Sequence, residues 1–348
     1  MTTFAIDWRF GDAPNYFLGV ISSVVGALWR WAVSFIAVAS VVCLGLQAGP
    51  GPAVRLVDES NPLAGKPFYV DPISAAVRAA KGNPEIAAIA NTPAAYWLDE
   101  AFPSGKATAT VARIAGAAQA SGSMPVFALY AIPHRDCGSF AAGGFATAAG
   151  YKQWIDAVAA GLGAMPAAFI LEPDALDMAD CLSADQRAER FGLMRYAVDT
   201  LTAAPAAVVY VDGGHSRWLP AEEIANRLNQ VGVSKARGFS LNTSNFYTTA
   251  EEIGYGEAVS ALTNGSHYVI DTGRNGAGPA PESPLNWCNP SGRALGTAPT
   301  TNTAGAHADA YLWVKRPGES DGSCDRGEPH AGSFVNSYAV ELVRNAGR

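Results

Sequence analysis

Residues 148–174, AAGYKQWIDAVAAGLGAMPAAFILEPD, hold the unit from which the fold is read. A helix-like stretch, Ala148–Leu162, leads into the apolar run Ala168–Leu171, which ends in the polar cluster Glu172-Pro173-Asp174. An apolar run with no polar alternation suits a strand covered on both faces. The unit repeats in both directions along the chain. Further runs are Ala94–Leu98 and Val126–Ile132 before it, and Ala207–Val211, Gly238–Leu241, Tyr268–Ile270 and Tyr311–Val314 after it. Helix-like segments intervene at Ser183–Ala203, Pro220–Gln230 and Thr249–Leu262. Ser183 and Thr249 are the expected N-caps, with Glu252 completing a capping box on Thr249. Seven such units in about 290 residues point to a TIM-like parallel β/α barrel, a single catalytic domain over 58–348. No Gly-rich phosphate loop follows the first strand, which argues against a dinucleotide-binding sheet. Residues 272–309 read as one long loop rich in Gly, Pro, Asn and Thr, a feature that usually covers a site.

The rest of the chain sets the context. It has 348 residues, 49% hydrophobic and 16% charged, with net charge −7 and no Lys/Arg-rich run. Nucleic acid is not an expected partner, because phosphate neutralisation needs a basic surface. Residues 1–57 differ in character: no charge occurs from Trp31 to Val54, Arg9 and Arg30 precede this stretch, and Gly-Pro-Gly-Pro-Ala (49–53) separates it from the remainder of the chain. A basic flank before an apolar run is the pattern of an export signal or a membrane anchor. The expected location is therefore outside the cytoplasm, secreted or held on the outer face of the membrane. With Cys43 in that leader, Cys137, Cys181, Cys288 and Cys324 remain, and an even number in an exported domain favours two disulfides in any of three connectivities. A zinc site would want a C-x-x-C pair, and there is none.

Residues just past barrel strands converge on one mouth. Those positions give Tyr130 with Arg135-Asp136, Glu172-Pro173-Asp174, Asp212 with His215 and Trp218, Asn242 with Asn245, Asp271 with Arg274, and Lys315 with Glu319 and Asp321. Carboxylates without a metal cluster are what glycosidic cleavage requires: one acid protonated for the leaving oxygen, another to hold or deprotonate water or to attack the sugar. Crowded carboxyls keep at least one protonated. Trp97, Trp218 and Trp287 add flat faces on which sugar rings stack. Two other patterns carry less. Gly318-Glu-Ser320-Asp-Gly322 matches a nucleophile elbow, but only 28 residues follow Ser320, too few for the remaining strands and His. Asp212 with His215 offers a metal only a single His.

At these residues the chain resembles glycoside hydrolase family 6, the inverting cellulases, and in particular their exported mycobacterial members. The resemblance runs over about 61–345 and rests on Tyr130-Ala-Ile-Pro-His-Arg-Asp-Cys137, Leu171-Glu-Pro-Asp174, Val211-Asp-Gly-Gly-His-Ser-Arg-Trp218, Asn242-Thr-Ser-Asn245, Asn286-Trp-Cys288 and Lys315-Arg-Pro-Gly-Glu-Ser-Asp-Gly322. It implies a distorted seven-stranded barrel and hydrolysis of β-1,4-glucan with no cofactor. Asp174 then resembles the general acid. Asp136 is similar to the carboxylate that keeps that acid protonated and receives the water's proton, and Asp321 matches the one often named as base. Tyr130 looks like the residue that distorts the sugar at the cleavage point. Trp97 and Trp287 resemble platforms on the non-reducing side, with Trp218 and His215 on the leaving-group side. Lys315, Glu319, Asn245 and Arg135 fall among the implied substrate contacts. The implied disulfides are Cys137–Cys181 and Cys288–Cys324.

Two positions depart from the family pattern: Ala142 stands where a water-holding Ser is common, and Gly213 where Ala is usual. Chain-end-acting members roof the cleft with two long loops. Here only eleven residues separate Asp321 from Ser333 and the loop after Cys137 is short, so endo action by a monomer is expected. The rivals are a chain-end cellobiohydrolase, a surface glucan-binding protein without turnover, and a metal-dependent hydrolase, which EDTA would inactivate.

Overall fold

The computed structural model describes residues 60–347. The expected leader, its anchor or signal character and the boundary at 57/58 lie outside the described residues. Two short helices, α1 (Ala75–Ala80) and α2 (Ala87–Ala90), come first. Then follow β1 (Tyr96–Leu98), α3 (Ser104–Ala120), β2 (Val126–Leu129), α4 (Ala148–Leu162), β3 (Ala167–Leu171), α5 (Ala184–Thr202), β4 (Ala207–Asp212) and α6 (Ala221–Gln230). The chain continues through β5 (Gly238–Leu241), α7 (Thr249–Leu262), β6 (His267–Asp271), β7 (Ala308–Leu312) and α8 (Asn336–Asn345). The strands form one seven-stranded sheet in sequence order, each parallel to the next.

The sheet is curled, and both its faces are apolar and covered. Side chains alternate along each strand. Phe127, Leu129, Phe169, Leu171, Val211, Leu241 and Ile270 pack against the helices. Val126, Ala128, Ala168, Ile170, Tyr210, Val269 and Leu312 fill the inside of the curl. No ladder joins β7 to β1; the seam is spanned by Ala95 N–H donating to Trp313 O (2.9 Å) and the Trp97 indole donating to Val314 O (2.8 Å). The barrel is thus an open, distorted one, and Trp313 at its seam is packed with Ile86, Ile89, Leu342 and Val343 from the two ends of the described chain.

Three expectations at element ends are corrected. The last strand begins at Ala308, three residues before the apolar run Tyr311–Val314, and ends at Leu312. Asp309 hid its start. This residue sits where the register slips between Tyr268 and Val269, and its carboxylate faces Tyr210 Oη (2.7 Å), Arg237 Nε (2.8 Å) and His267 Nδ1 (3.0 Å) on the barrel floor. The long loop therefore closes at 307. The cap of α7 is also one residue earlier than expected: Thr248, with Glu251, makes the capping box. Glu252 is buried and bonds elsewhere. The run Val126–Ile132 likewise leaves the sheet at Leu129, because the N–H groups of Ala131 and Ile132 donate to Glu172 (2.9 and 3.0 Å).

Candidate active site

The twelve non-cysteine residues expected at the site all line one cleft of about 650 Å³ over the C-terminal ends of the strands: Trp97, Tyr130, Arg135, Asp136, Asp174, His215, Trp218, Asn245, Trp287, Lys315, Glu319 and Asp321. Strained loops bring them there. Asp136 (φ 55°), Glu172 (φ 51°) and Asp174 (φ 68°) all adopt the left-handed region, which costs about 1–3 kcal/mol each and persists only where surrounding bonds enforce it. For β3 the enforcement comes from Glu172, whose buried carboxyl accepts those two N–H groups and is pushed up to about 7 by burial.

Asp174 is half-buried. Its N–H donates to Asp212 Oδ1 (3.1 Å), and Tyr130 Oη lies 3.5 Å from its Oδ2. Burial, then the carboxylates of Asp212 and Asp136, raise its pKa well above the ordinary range and so favour its protonated form. Asp212 lies behind it, buried, accepting from Thr243 Oγ1 (2.7 Å), Ser240 Oγ (2.8 Å) and Gly214 N (3.2 Å); burial lifts its pKa to about 6 against those bonds. Asp321, in the same cleft lining, behaves in the opposite way. Burial pushes it up, but Arg274 (2.8 Å) and Lys315 (3.3 Å) outweigh burial and hold it below the usual carboxylate range. Asp136, held by Ala141 N–H (2.6 Å), is raised by burial against that bond and Arg135.

Aromatic rings line the same cleft. Trp287 is 37% and Trp218 36% exposed, enough to offer a ring face, while Trp97 meets Tyr130 edge-on at 5.4 Å. His215 packs at a tilt against the Tyr247 ring (4.4 Å between centroids) and its Nδ1 accepts Arg217 N–H (3.2 Å). Burial and then Arg217 lower its pKa to about 4, leaving a neutral ring with Nε2 as the donor. Arg135 is already engaged: its guanidinium bonds Glu100, Tyr130 O (2.6 Å) and Ala141 O (2.8 Å), so it shapes the loop that carries Asp136. Glu319 is buried and paired with Arg316 (2.8 Å). Cys137 is bonded to Cys181 and Cys288 to Cys324, tying the loops of Asp136 and Trp287 to neighbouring segments. Ser320 is no nucleophile; it is buried and donates to Pro329 O (2.7 Å).

Sequence reading placed Asp212 at a strand end without giving it a role, and it missed Asp177 altogether. Asp177 is buried with neither carboxyl oxygen bonded, pressed on Gly214, where a Cβ would lie 2.3 Å from its Oδ1. Nothing in the sequence distinguishes it from the exposed Asp180 one turn on. Tyr247 and Phe140, also on the cleft wall, lacked a motif to mark them.

Comparison with known proteins agrees with this geometry. The model of glycosyl hydrolases family 6 matches residues 61–346. Endoglucanase A of Cellulomonas fimi is 46% identical over 285 residues, 80% of this chain and 61% of that protein, so the chain spans about three fifths of that relative's length. Endoglucanase 1 of Streptomyces halstedii is 39% identical over 320 residues, 88% of this chain and 96% of its own. Among solved structures, the endoglucanase Cel6 of Mycobacterium tuberculosis superimposes with TM-score 0.82 at 72% identity, covering 83% of this chain and all of that one. The seven-stranded open barrel and its cleft are those of a known lineage: this chain belongs to glycosyl hydrolases family 6.

Proposed function

We propose that this chain is an endo-β-1,4-glucanase that cleaves cellulose or a related β-glucan with inversion at the anomeric carbon. The observation that carries the reading is the meeting, in one groove, of three carboxyls in different surroundings: Asp174, whose pKa burial and neighbouring carboxylates raise well above the usual range, Asp136, raised by burial, and Asp321, held low by two cations. Asp174 gives its proton to the leaving oxygen while water attacks the opposite face of the sugar. The water's proton goes towards Asp136, whose raised pKa suits an acceptor; Asp321, clamped by two cations, is too weak a base and instead supplies negative charge beside the developing oxocarbenium ion. Ala142 offers no hydroxyl to that water, which lowers the rate without changing the reaction. Tyr130, against the acid, crowds the reacting sugar. Trp97 and Trp287 carry the non-reducing side, Trp218 and His215 the leaving side, and Lys315, Glu319 and Asn245 bond hydroxyls.

The short loops favour attack within the chain: residues 322–332 fold straight back, Gly332 N–H meeting Ser320 O at 2.9 Å. Two disulfides favour a compartment outside the reducing cytoplasm. The cleft is built within one chain, which favours a monomer; attachment through residues 1–57 would add only location. Carboxymethylcellulose provides the test. The reading expects released reducing ends and an early fall in viscosity; reducing ends without that fall mean chain-end action, and tight binding with no release means a non-catalytic protein.

A further inference from the structure

The loop between β4 and α6 carries His215, Arg217 and Trp218 to the cleft, yet a neighbouring helix fastens it. Three residues on one face of α7 do so. Glu252 Oε1 accepts both Ser216 Oγ–H (2.7 Å) and Ser216 N–H (3.1 Å). Tyr255 Oη, less than one turn on, donates to Leu219 O (2.7 Å). Glu251 Oε1 pairs with Arg217 Nε (3.1 Å). Of the three, Glu252 alone is fully shielded from solvent, and it does not reach the cleft. A carboxyl in such a place is costly to bury, and an apolar residue would pack the helix at lower cost. What Glu252 adds over a Leu is two directed bonds to the residue between His215 and Arg217. Burial lifts its pKa to about 7 against those bonds, which marks the position as unfavourable for an acid unless the bonds matter.

We infer that Glu252 is a positioning residue for the leaving-group half of the glucan: through Ser216 it fixes His215 and Trp218, and so sets how tightly that half is held. The inference rests on the assignment of His215 and Trp218 to the leaving-group side. Removing the bonds leaves Asp174 and its neighbours in place but lets the platform wander.

The test compares two substrates. Cellohexaose fills both sides of the cleft; β-cellotriosyl fluoride leaves the far side empty. Glu252→Ala raises KM for cellohexaose about tenfold with kcat nearly unchanged, the expected loss of binding shared by ground and transition states. It also moves the bond cut in end-labelled cellohexaose, and it leaves fluoride hydrolysis within about twofold. Glu252→Gln, which keeps an acceptor oxygen for Ser216, restores the wild-type pattern. Equal loss on both substrates, no change on either, or a Gln variant as poor as the Ala variant overturns the inference. Should Glu252→Ala fail to fold, Ser216→Ala reads the same link: a cellohexaose KM raised about threefold with intact fluoride hydrolysis supports it, and an unchanged KM overturns it. A wild-type protein inactive on both substrates would instead overturn the proposed function.

Discussion

Asp212→Asn isolates the charge that sits behind Asp174, the proposed proton donor. The swap is nearly isosteric: the amide oxygen still accepts from Asp174 N and Gly214 N, and the hydroxyls of Ser240 and Thr243 turn to accept from the new NH2. Only the negative charge is lost. Oδ1 accepts the Asp174 N–H at 3.1 Å and its charge raises the pKa of the Asp174 carboxyl; for the magnitude we take two charges roughly 5–6 Å apart. At an effective dielectric of 20 the repulsion is about 3 kcal/mol, about 2 pH units at 1.36 kcal/mol each; solvent reaching half-buried Asp174 trims this to about 1–2. The sign comes from the role. A general acid works only while protonated, so activity falls as pH rises through its pKa, and removing a neighbouring anion brings that fall to lower pH. Because the two carboxyls titrate together, the limb belongs to the pair in the wild type and to Asp174 alone in the variant. The assay is kcat/KM on a soluble cello-oligosaccharide from pH 4 to 9, which reports the free enzyme. The alkaline limb should move down by about 1–2 pH units, with rates converging near pH 5, where Asp212 (pKa about 6) is mostly neutral in the wild type too. An unmoved limb, or a rate reduced equally at every pH, refutes the electrostatic account.

The same contacts set the outcome of other substitutions. Asp174→Ala should cut cellohexaose hydrolysis by about 10³-fold yet leave a glycosyl fluoride within about tenfold, measured by product release, since fluoride needs no proton donor. Asp321→Ala strands Arg274 and Lys315 in a buried site and should cost about 3–5 kcal/mol in urea unfolding, so its loss of activity would come with a loss of stability. Gly214→Ala puts a Cβ 2.3 Å from the Asp177 carboxyl at φ +64° and should destabilise by about 2–4 kcal/mol, with Asp177→Ala recovering part of it in a double-mutant cycle. Asp177→Ala alone should gain on the wild type as pH rises from 5 to 8. The folded-state pKa of Asp177 is raised by burial and then by Asp212, so its contribution to wild-type stability is lost from the unfolded value upward, a loss the variant lacks.

The alternation of apolar runs with helix-like segments made the barrel legible, because strands buried on both faces must be apolar throughout. It failed where a polar residue serves the interior: Asp309 in β7 answers Tyr210 and Arg237 from across the barrel floor, partners no local window contains. The cap of α7 was misplaced because Thr248-Thr249 and Glu251-Glu252 allow two registers, and the choice was made by Ser216, far off in sequence. The lining of the cleft was legible as a set of residue positions, since strand ends converge by geometry. Their ionisation was not. Whether Asp174 is neutral and Asp321 charged depends on Asp212, Arg274 and Lys315, brought close only by the fold.

The protonation of Asp174 can be observed directly. Carboxyl 13C NMR of protein labelled at aspartate, with Asp174→Asn to assign the resonance, tracks this one group through pH. The account predicts a protonated signal at pH 6, well above where an ordinary aspartate ionises, giving way at higher pH together with activity. A resonance already ionised at pH 5 in an enzyme fully active there would contradict it.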